Sequence, residues 1–142
     1  MKIWDIINTR IRTIPKKEAE MTVQKMAVIK AFQDAGPTHP TAETVYKLAK
    51  RHLPSIALGT VYRNLSKMAE AGEIVKIPVP DAPDRFDADI SDHMHILCVS
   101  CGKIYDINEK DVNVKINNVP EGIELIRFDV MAKCLCADCK AK

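Results

Sequence analysis

Two pairs of cysteines, Cys98-Val99-Ser100-Cys101 and Cys136-Ala137-Asp138-Cys139, stand 34 residues apart. Each C-x-x-C presents two sulfurs from one tight turn, and two such turns together offer four soft donors. That is the tetrahedral set that structural zinc takes at Zn–S of about 2.3 Å. One knuckle alone also fits a thioredoxin-type redox pair, and four thiolates also fit a single iron in an electron carrier. The fifth cysteine, Cys134, lies outside the two pairs and reads as a free core thiol, or more sharply as a spare ligand or redox partner of Cys136. A second group of donors is harder. His93 and His95 sit at i and i+2 of an alternating apolar run, so a strand there turns both imidazoles to one face and Cys98 to the other. Asp87, Asp106 and His39 are the nearest further donors. Each has an ordinary alternative: Asp87 could pair with Arg85, Asp106 could be a solvated strand end, and His39 could be a loop residue before Pro40.

Elements must place these groups. The chain has 142 residues, 46% hydrophobic and 28% charged, a globular composition of the size of one domain or two small ones, too short for a TIM barrel or a full doubly wound sheet. No stretch approaches the roughly 18 apolar residues of a membrane span, and Met1 to Thr13 carries charges where a leader needs an apolar run, so a cytosolic protein is expected. In that reducing compartment clustered thiols bind metal rather than pair. The net charge of +2 conceals two unlike halves. Residues 1–79 carry thirteen Lys+Arg against seven Asp+Glu, a balance of +6; residues 80–142 carry eight against twelve, a balance of −4. The first half suggests a polyanion partner and the second holds every cysteine.

Helical periodicity fills the basic half. Ile3, Ile7, Ile11 and Ile14 mark an amphipathic first helix. Thr22 caps a second, with Val23, Met26, Ala27, Ile29 and Phe32 on its run to Gly36-Pro37. Thr41 caps a third, with Val45, Leu48 and Ala49 inward and Lys47, Lys50 and Arg51 outward, stopped by Leu53-Pro54-Ser55; His52 extends its basic end. A fourth runs from about Leu58 to Ala71 with Leu58, Val61, Leu65 and Met68 inward and Gly72 as its stop. Two short strands, Ile74–Val79 and Arg85–Ala88, flank the turn residues Pro80 to Asp84. Helix, turn, helix and hairpin describe a winged helix, with a generic helical bundle as the plainer reading. In the acidic half, strands are expected over 93–99, 104–107 and 123–130, with an amphipathic helical segment over 109–118. So small a domain needs a metal staple or a partner subunit.

Taken together, His39-Pro40-Thr41-Ala42-Glu43, Gly59-Thr60-Val61-Tyr62-Arg63-Asn64-Leu65, Glu70-Ala71-Gly72-Glu73-Ile74, Arg85-Phe86-Asp87 and the long run His93 to Lys103 resemble the ferric uptake regulator family, most closely its peroxide-sensing branch. The resemblance covers nearly the whole chain. It implies an α+β architecture: a winged helix-turn-helix domain over 1–86, a hinge over 87–92, and a small α/β dimerisation domain over 93–142 holding a four-cysteine zinc site on Cys98, Cys101, Cys136 and Cys139. It further implies a regulatory Fe2+ or Mn2+ held by His39, Asp87, His93, His95 and Asp106. Operator DNA is expected at Thr60, Tyr62, Arg63 and Lys67, with Lys76 of the wing adding to them. The implied protein is a homodimeric repressor and not an enzyme, one that senses peroxide when iron-driven chemistry oxidises His39 or His93. An iron-responsive repressor without that chemistry, and a zinc hydrolase built on His93 and His95, are the alternatives. Asp at 106 follows the peroxide sensors, where iron-sensing relatives commonly carry Glu. The sequence also departs from the family pattern. Lys25 stands where Arg is usual after Thr22-Val23-Gln24, Cys134 stands where Gly is usual before the last knuckle, and no histidine follows His95, so no further site on later histidines is expected.

Overall fold

In the computed structural model the described residues are 22–126 and 130–142, and they form two compact units that divide between Ser91 and Asp92. The amphipathic helix expected from Ile3 to Ile14 lies outside the described residues. In the first unit the local signals act where the sequence puts them. The Thr22 side chain accepts a hydrogen bond from the Lys25 N–H at 3.1 Å and opens α1 (Val23–Ala35), which stops at Gly36 with φ +64°. Thr41 does the same for the Thr44 N–H and opens α2 (Ala42–Ala49). After the turn at Leu53 to Ala57 comes α3 (Leu58–Glu70). Its end is a Schellman motif: Gly72, at φ +70°, donates to the Ala69 carbonyl at 3.0 Å and Glu73 donates to the Met68 carbonyl at 2.9 Å. The left-handed φ is why glycine stands there.

The three helices bury Val28, Ala31 and Phe32 from α1, Val45 and Ala49 from α2, and Val61, Leu65 and Met68 from α3, closed by Ile56, Ile74 and Phe86. Four positions differ from the periodic reading. Leu48 and Leu58 are only half-buried, and Val23 and Met26 are exposed, because they fall on the first turn of α1 beyond the stripe formed by Ala27, Val28, Ala31 and Phe32. Lys25 of α1 reaches Glu73 beyond α3 at 2.8 Å, and His52 reaches Asp34 at 2.7 Å, so His52 ties the end of α2 back to α1. The wing is β1 (Val75–Ile77) paired antiparallel with β2 (Arg85–Asp87), and Thr41 bridges to Arg85 on the other edge of β2. Asp87, which the sequence assigns to the hinge, is thus the last residue of β2. Beyond it the chain turns on side-chain caps: the Asp89 N–H donates to Asp87 Oδ1, and the Ser91 N–H and hydroxyl both donate to Asp89 Oδ1.

The second unit is a three-stranded sheet of order β4-β3-β5. The strands are β3 (His93–Cys98), β4 (Ile104–Asn108) antiparallel to it, and β5 (Met131–Cys134) parallel to it. A single 3-10 turn (Glu109–Asp111) follows β4, and α4 (Ala137–Lys140) is the last element. Two expectations are corrected here. The helical segment of 109–118 is only that 3-10 turn, since Val112, Val114 and Ile116 are β-branched and alternate with Asn and Lys rather than forming a helical stripe. The strand of 123–130 does not form over 123–126, and 127–129 lie outside the described residues; β3 has its second edge filled by Met131–Cys134 instead, leaving Ile123 to Ile126 without a ladder partner among the described residues. Among the described residues no helix is long and apolar enough to cross a membrane.

Candidate metal centres and nucleic-acid interface

The sulfur centre is built by two turns brought together by the β3–β5 pairing. At the end of β3 the Gly102 N–H donates to the Cys98 carbonyl at 2.9 Å and Gly102 takes φ +72°, which folds Cys101 back toward Cys98. The parallel pairing sets Cys134 opposite Cys98, so the chain leaving β5 delivers Cys136 beside it, and the first turn of α4 presents Cys139. The four Sγ atoms of Cys98, Cys101, Cys136 and Cys139 lie within 4.8 Å of one another, and Cys101 and Cys136 are 3.7 Å apart. The edge of a zinc tetrathiolate tetrahedron is about 3.8 Å, so the donor set fits that ion. Cys98 is wholly buried and its thiol is lowered to about 6 by the backbone N–H groups of Cys101 and Cys136, the latter 3.4 Å from its sulfur. Cys136 is lowered by the N–H of Cys139. Cys139 is bonded by Ser100, which acts in the lowering direction, yet Cys136 and burial push it up to about 12. The sequence reading missed the supporting groups Ser100 and Tyr105. The Tyr105 phenol, bonded to Cys136, is itself raised to about 12. Tyr105 directly precedes the singled-out Asp106, and strand alternation turns it toward the sulfur face.

The imidazole donors occur as two sets, one in each unit. In the first unit the Phe86 N–H donates to the Pro40 carbonyl at 3.0 Å and Arg85 Nη1 donates to the His39 carbonyl at 3.0 Å, laying residues 39–41 along β2. His39 Nε2 then lies 3.2 Å from Asp87 Oδ2, both side chains being more than nine-tenths buried. His39 is thus partnered by Asp87 and is no lone loop histidine. In the second unit His95 is in register with Asp106 across the β3–β4 pair, and His93 lies one diagonal away. Both Nε2 atoms are 3.5 Å from Asp106 Oδ1, and the two rings meet edge to face with centroids 4.6 Å apart. Two buried imidazoles converging on a carboxylate suit a divalent first-row ion. Cys98 is on the other face of β3, and Cys134, half-buried, stands outside the group of four.

On α3 the face opposite Val61, Leu65 and Met68 is solvent-exposed and carries Tyr62, Arg63 and Lys67. Tyr62 is 47% exposed, so it is not a core aromatic. Arg63 Nη2 donates to the Thr60 hydroxyl at 3.4 Å and the Asn64 amide donates to the Thr60 carbonyl at 2.8 Å. Lys76 of the wing is paired with Asp84 at 3.0 Å.

A helix-turn-helix with a β-hairpin wing, followed in the same chain by a tetrathiolate sheet, defines the class of winged-helix proteins that carry a metal-binding unit. The chain belongs to the Ferric uptake regulator family, whose sequence profile matches residues 16–132. It is 34% identical over 98 residues to the peroxide-responsive repressor PerR of Staphylococcus saprophyticus, covering 69% of this chain and 66% of that protein. It is also 34% identical over 98 residues to the peroxide operon regulator of Bacillus subtilis, covering 69% of this chain and 67% of that one. The matched stretch therefore spans about two thirds of the length of these relatives. The crystal structure of the Campylobacter jejuni peroxide stress regulator matches with a TM-score of 0.63 at 25% identity, over 98% of this chain and 100% of that one.

Proposed function

We propose that the chain is a metal-dependent transcriptional repressor that binds operator DNA as a homodimer in the cytoplasm and senses peroxide. The observation that carries this reading is the meeting of His93 and His95 with the short carboxylate of Asp106. Relatives named for peroxide response support it. In this reading Zn2+ on Cys98, Cys101, Cys136 and Cys139 staples the second unit. One further ion, Fe2+ or Mn2+, takes ligands from both units: His39 and Asp87 from the first, His93, His95 and Asp106 from the second. The two sets favour a closed arrangement only through the ion's greater affinity for it, and closure sets the spacing of two recognition helices in a dimer. Thr60, Tyr62, Arg63 and Lys67 face the DNA, and the basic balance of residues 1–79 supplies the salt-dependent part of the affinity. The partner copy covers the apolar side chains of Val114, Ile116, Val119, Ile123, Leu125 and Ile126, all exposed in the single chain.

Fe2+ held there would supply the redox chemistry by which peroxide, itself reduced to water, oxidises a nearby imidazole, that of His39 or His93. The residues' part would be to hold the ion while leaving peroxide access to it, and to bind it less well once a ligand imidazole is oxidised. Asp106, one methylene shorter than Glu, would leave room for peroxide beside His93 and His95. The test compares Fe2+ and Mn2+ forms on duplexes selected for binding, before and after peroxide. The Fe2+ form is expected to leave DNA and to gain about 16 Da on a peptide containing His39 or His93, while the Mn2+ form stays bound. Asp106→Glu is expected to keep metal-activated DNA binding and lose the peroxide response. Equal oxidation in parent and Asp106→Glu shows that Asp106 does not control access, and an Fe2+ form that gains no oxygen and remains on DNA favours an iron-responsive repressor without peroxide chemistry.

A further inference from the structure

Cys134 is the thiol that the group of four leaves over, and it is placed beside that group rather than at random. The parallel ladder of β3 and β5 sets His95 opposite Met131, Ile96 opposite Ala132, Leu97 opposite Lys133 and Cys98 opposite Cys134. The Val99 N–H donates to the Cys134 carbonyl at 2.9 Å, which holds this register to the end of the ladder. Residues directly opposed on neighbouring strands turn their side chains to the same face. The strand spacing of about 4.8 Å falls inside the Cα separation of about 4.4–6.8 Å that a disulfide spans. Cys98 is wholly buried whereas Cys134 is half-buried, so of the two sulfurs it is Cys134 that a small solute reaches first.

We propose that hydrogen peroxide joins Cys134 to Cys98 in a disulfide, and that this bond takes a ligand from the tetrathiolate and releases its metal. In the first step the O–O bond breaks as the Cys134 sulfur takes one oxygen to become a sulfenic acid, and water leaves. In the second the Cys98 thiolate attacks the Cys134 sulfur, the S–O bond breaks, and hydroxide departs, taking a proton from solvent to become a second water. The two sulfurs lose two electrons and peroxide gains them, with one proton supplied by the Cys134 thiol and one by solvent. Cys101, Cys136 and Cys139 then remain as donors, with Cys101 on an exposed turn, so a closed structural site loses its buried ligand and opens to water. The inference rests on the tetrathiolate reading and is independent of iron: it gives the chain a second, sulfur-based response to the same oxidant, acting on the staple of the second unit.

The test uses the full chain carrying zinc, with Mn2+ rather than Fe2+ supplied so that iron chemistry is absent. Peroxide is added, zinc release is followed with a chromogenic chelator, and the cysteines are mapped by mass spectrometry of an alkylated digest. The expected result is release of the zinc together with a Cys98–Cys134 cross-linked peptide about 2 Da lighter than its two reduced parts. Reductant and added zinc reverse both. Cys134→Ser is expected to hold zinc before peroxide and to release it at least about tenfold more slowly afterwards. Zinc release from Cys134→Ser at the parent rate, no release from the parent, or a map joining Cys134 to Cys136 overturns the proposal. A parent protein that purifies without zinc overturns the tetrathiolate reading beneath it.

Discussion

The two units hold themselves together by different means. Up to Ser91, three capped helices and a hairpin enclose a continuous apolar core in which Val28, Ala31, Val45, Ala49, Val61 and Leu65 are wholly buried. From Asp92 on, the buried apolar side chains among the described residues are Leu97 and Ile104, with the sulfurs of Cys98 and Cys136 beside them. A three-stranded sheet with so little inside cannot balance the entropy of ordering its backbone. The difference teaches where each unit's stability resides: in area removed from water for the first, in bonds to a shared ion for the second.

The largest effect should come from breaking the second kind of support. Cys139→Ser, or removal of zinc by a strong chelator, is expected to unfold the second unit and abolish the dimer while the helices of the first survive; separate transitions in circular dichroism and calorimetry check this, and an unchanged melting profile would assign the fold to other contacts. Cutting into the first kind should cost less and leave zinc content alone: Leu65→Ala is expected to destabilise the first unit by about 2–5 kcal/mol, read by denaturant titration. Smaller again is the cost of removing a surface contact to a ligand. Arg63→Ala is expected to weaken DNA binding by about 1–3 kcal/mol at fixed salt with unchanged melting, and parent-like binding would move the interface off α3. Smallest is Lys76→Ala, whose ammonium is already occupied by Asp84 at an exposed site: stability should change by less than about 0.5 kcal/mol, and DNA affinity by less than for Arg63→Ala.

Where a local rule governed, the sequence could be read directly. Thr22 and Thr41 open their helices through their own hydroxyls, Gly72 ends α3 by its left-handed φ, and the C-x-x-C spacing makes a turn whatever surrounds it. The same holds for His93 and His95, whose common face follows from the pleat alone. Reading failed where the decision was not local. The alternation of Ile123 and Leu125 about Glu124 is not enough to make a strand when the open edge of β3 goes to Met131–Cys134, and pairing competition of that kind leaves no mark within a short window. Nor could spacing show that His39 would be laid beside Asp87, since that rests on the Thr41–Arg85 bridge between segments far apart in the chain. The support from Ser100 and Tyr105 was invisible for a related reason: each is an ordinary surface residue type until the two knuckles are folded together.

Strand β3 carries imidazoles on one face and a thiolate on the other, three positions apart at His95 and Cys98. Since faces alternate with every residue, the allegiance of each side chain is a matter of odd and even. An insertion of one residue between His95 and Cys98 would keep either centre in place only by turning the other to the wrong side of the sheet, whereas an insertion of two preserves both allegiances and changes only their distance along the strand. The two centres therefore share a parity that neither can alter alone, and any lineage or design that reshapes one of them must lengthen or shorten this strand in even steps.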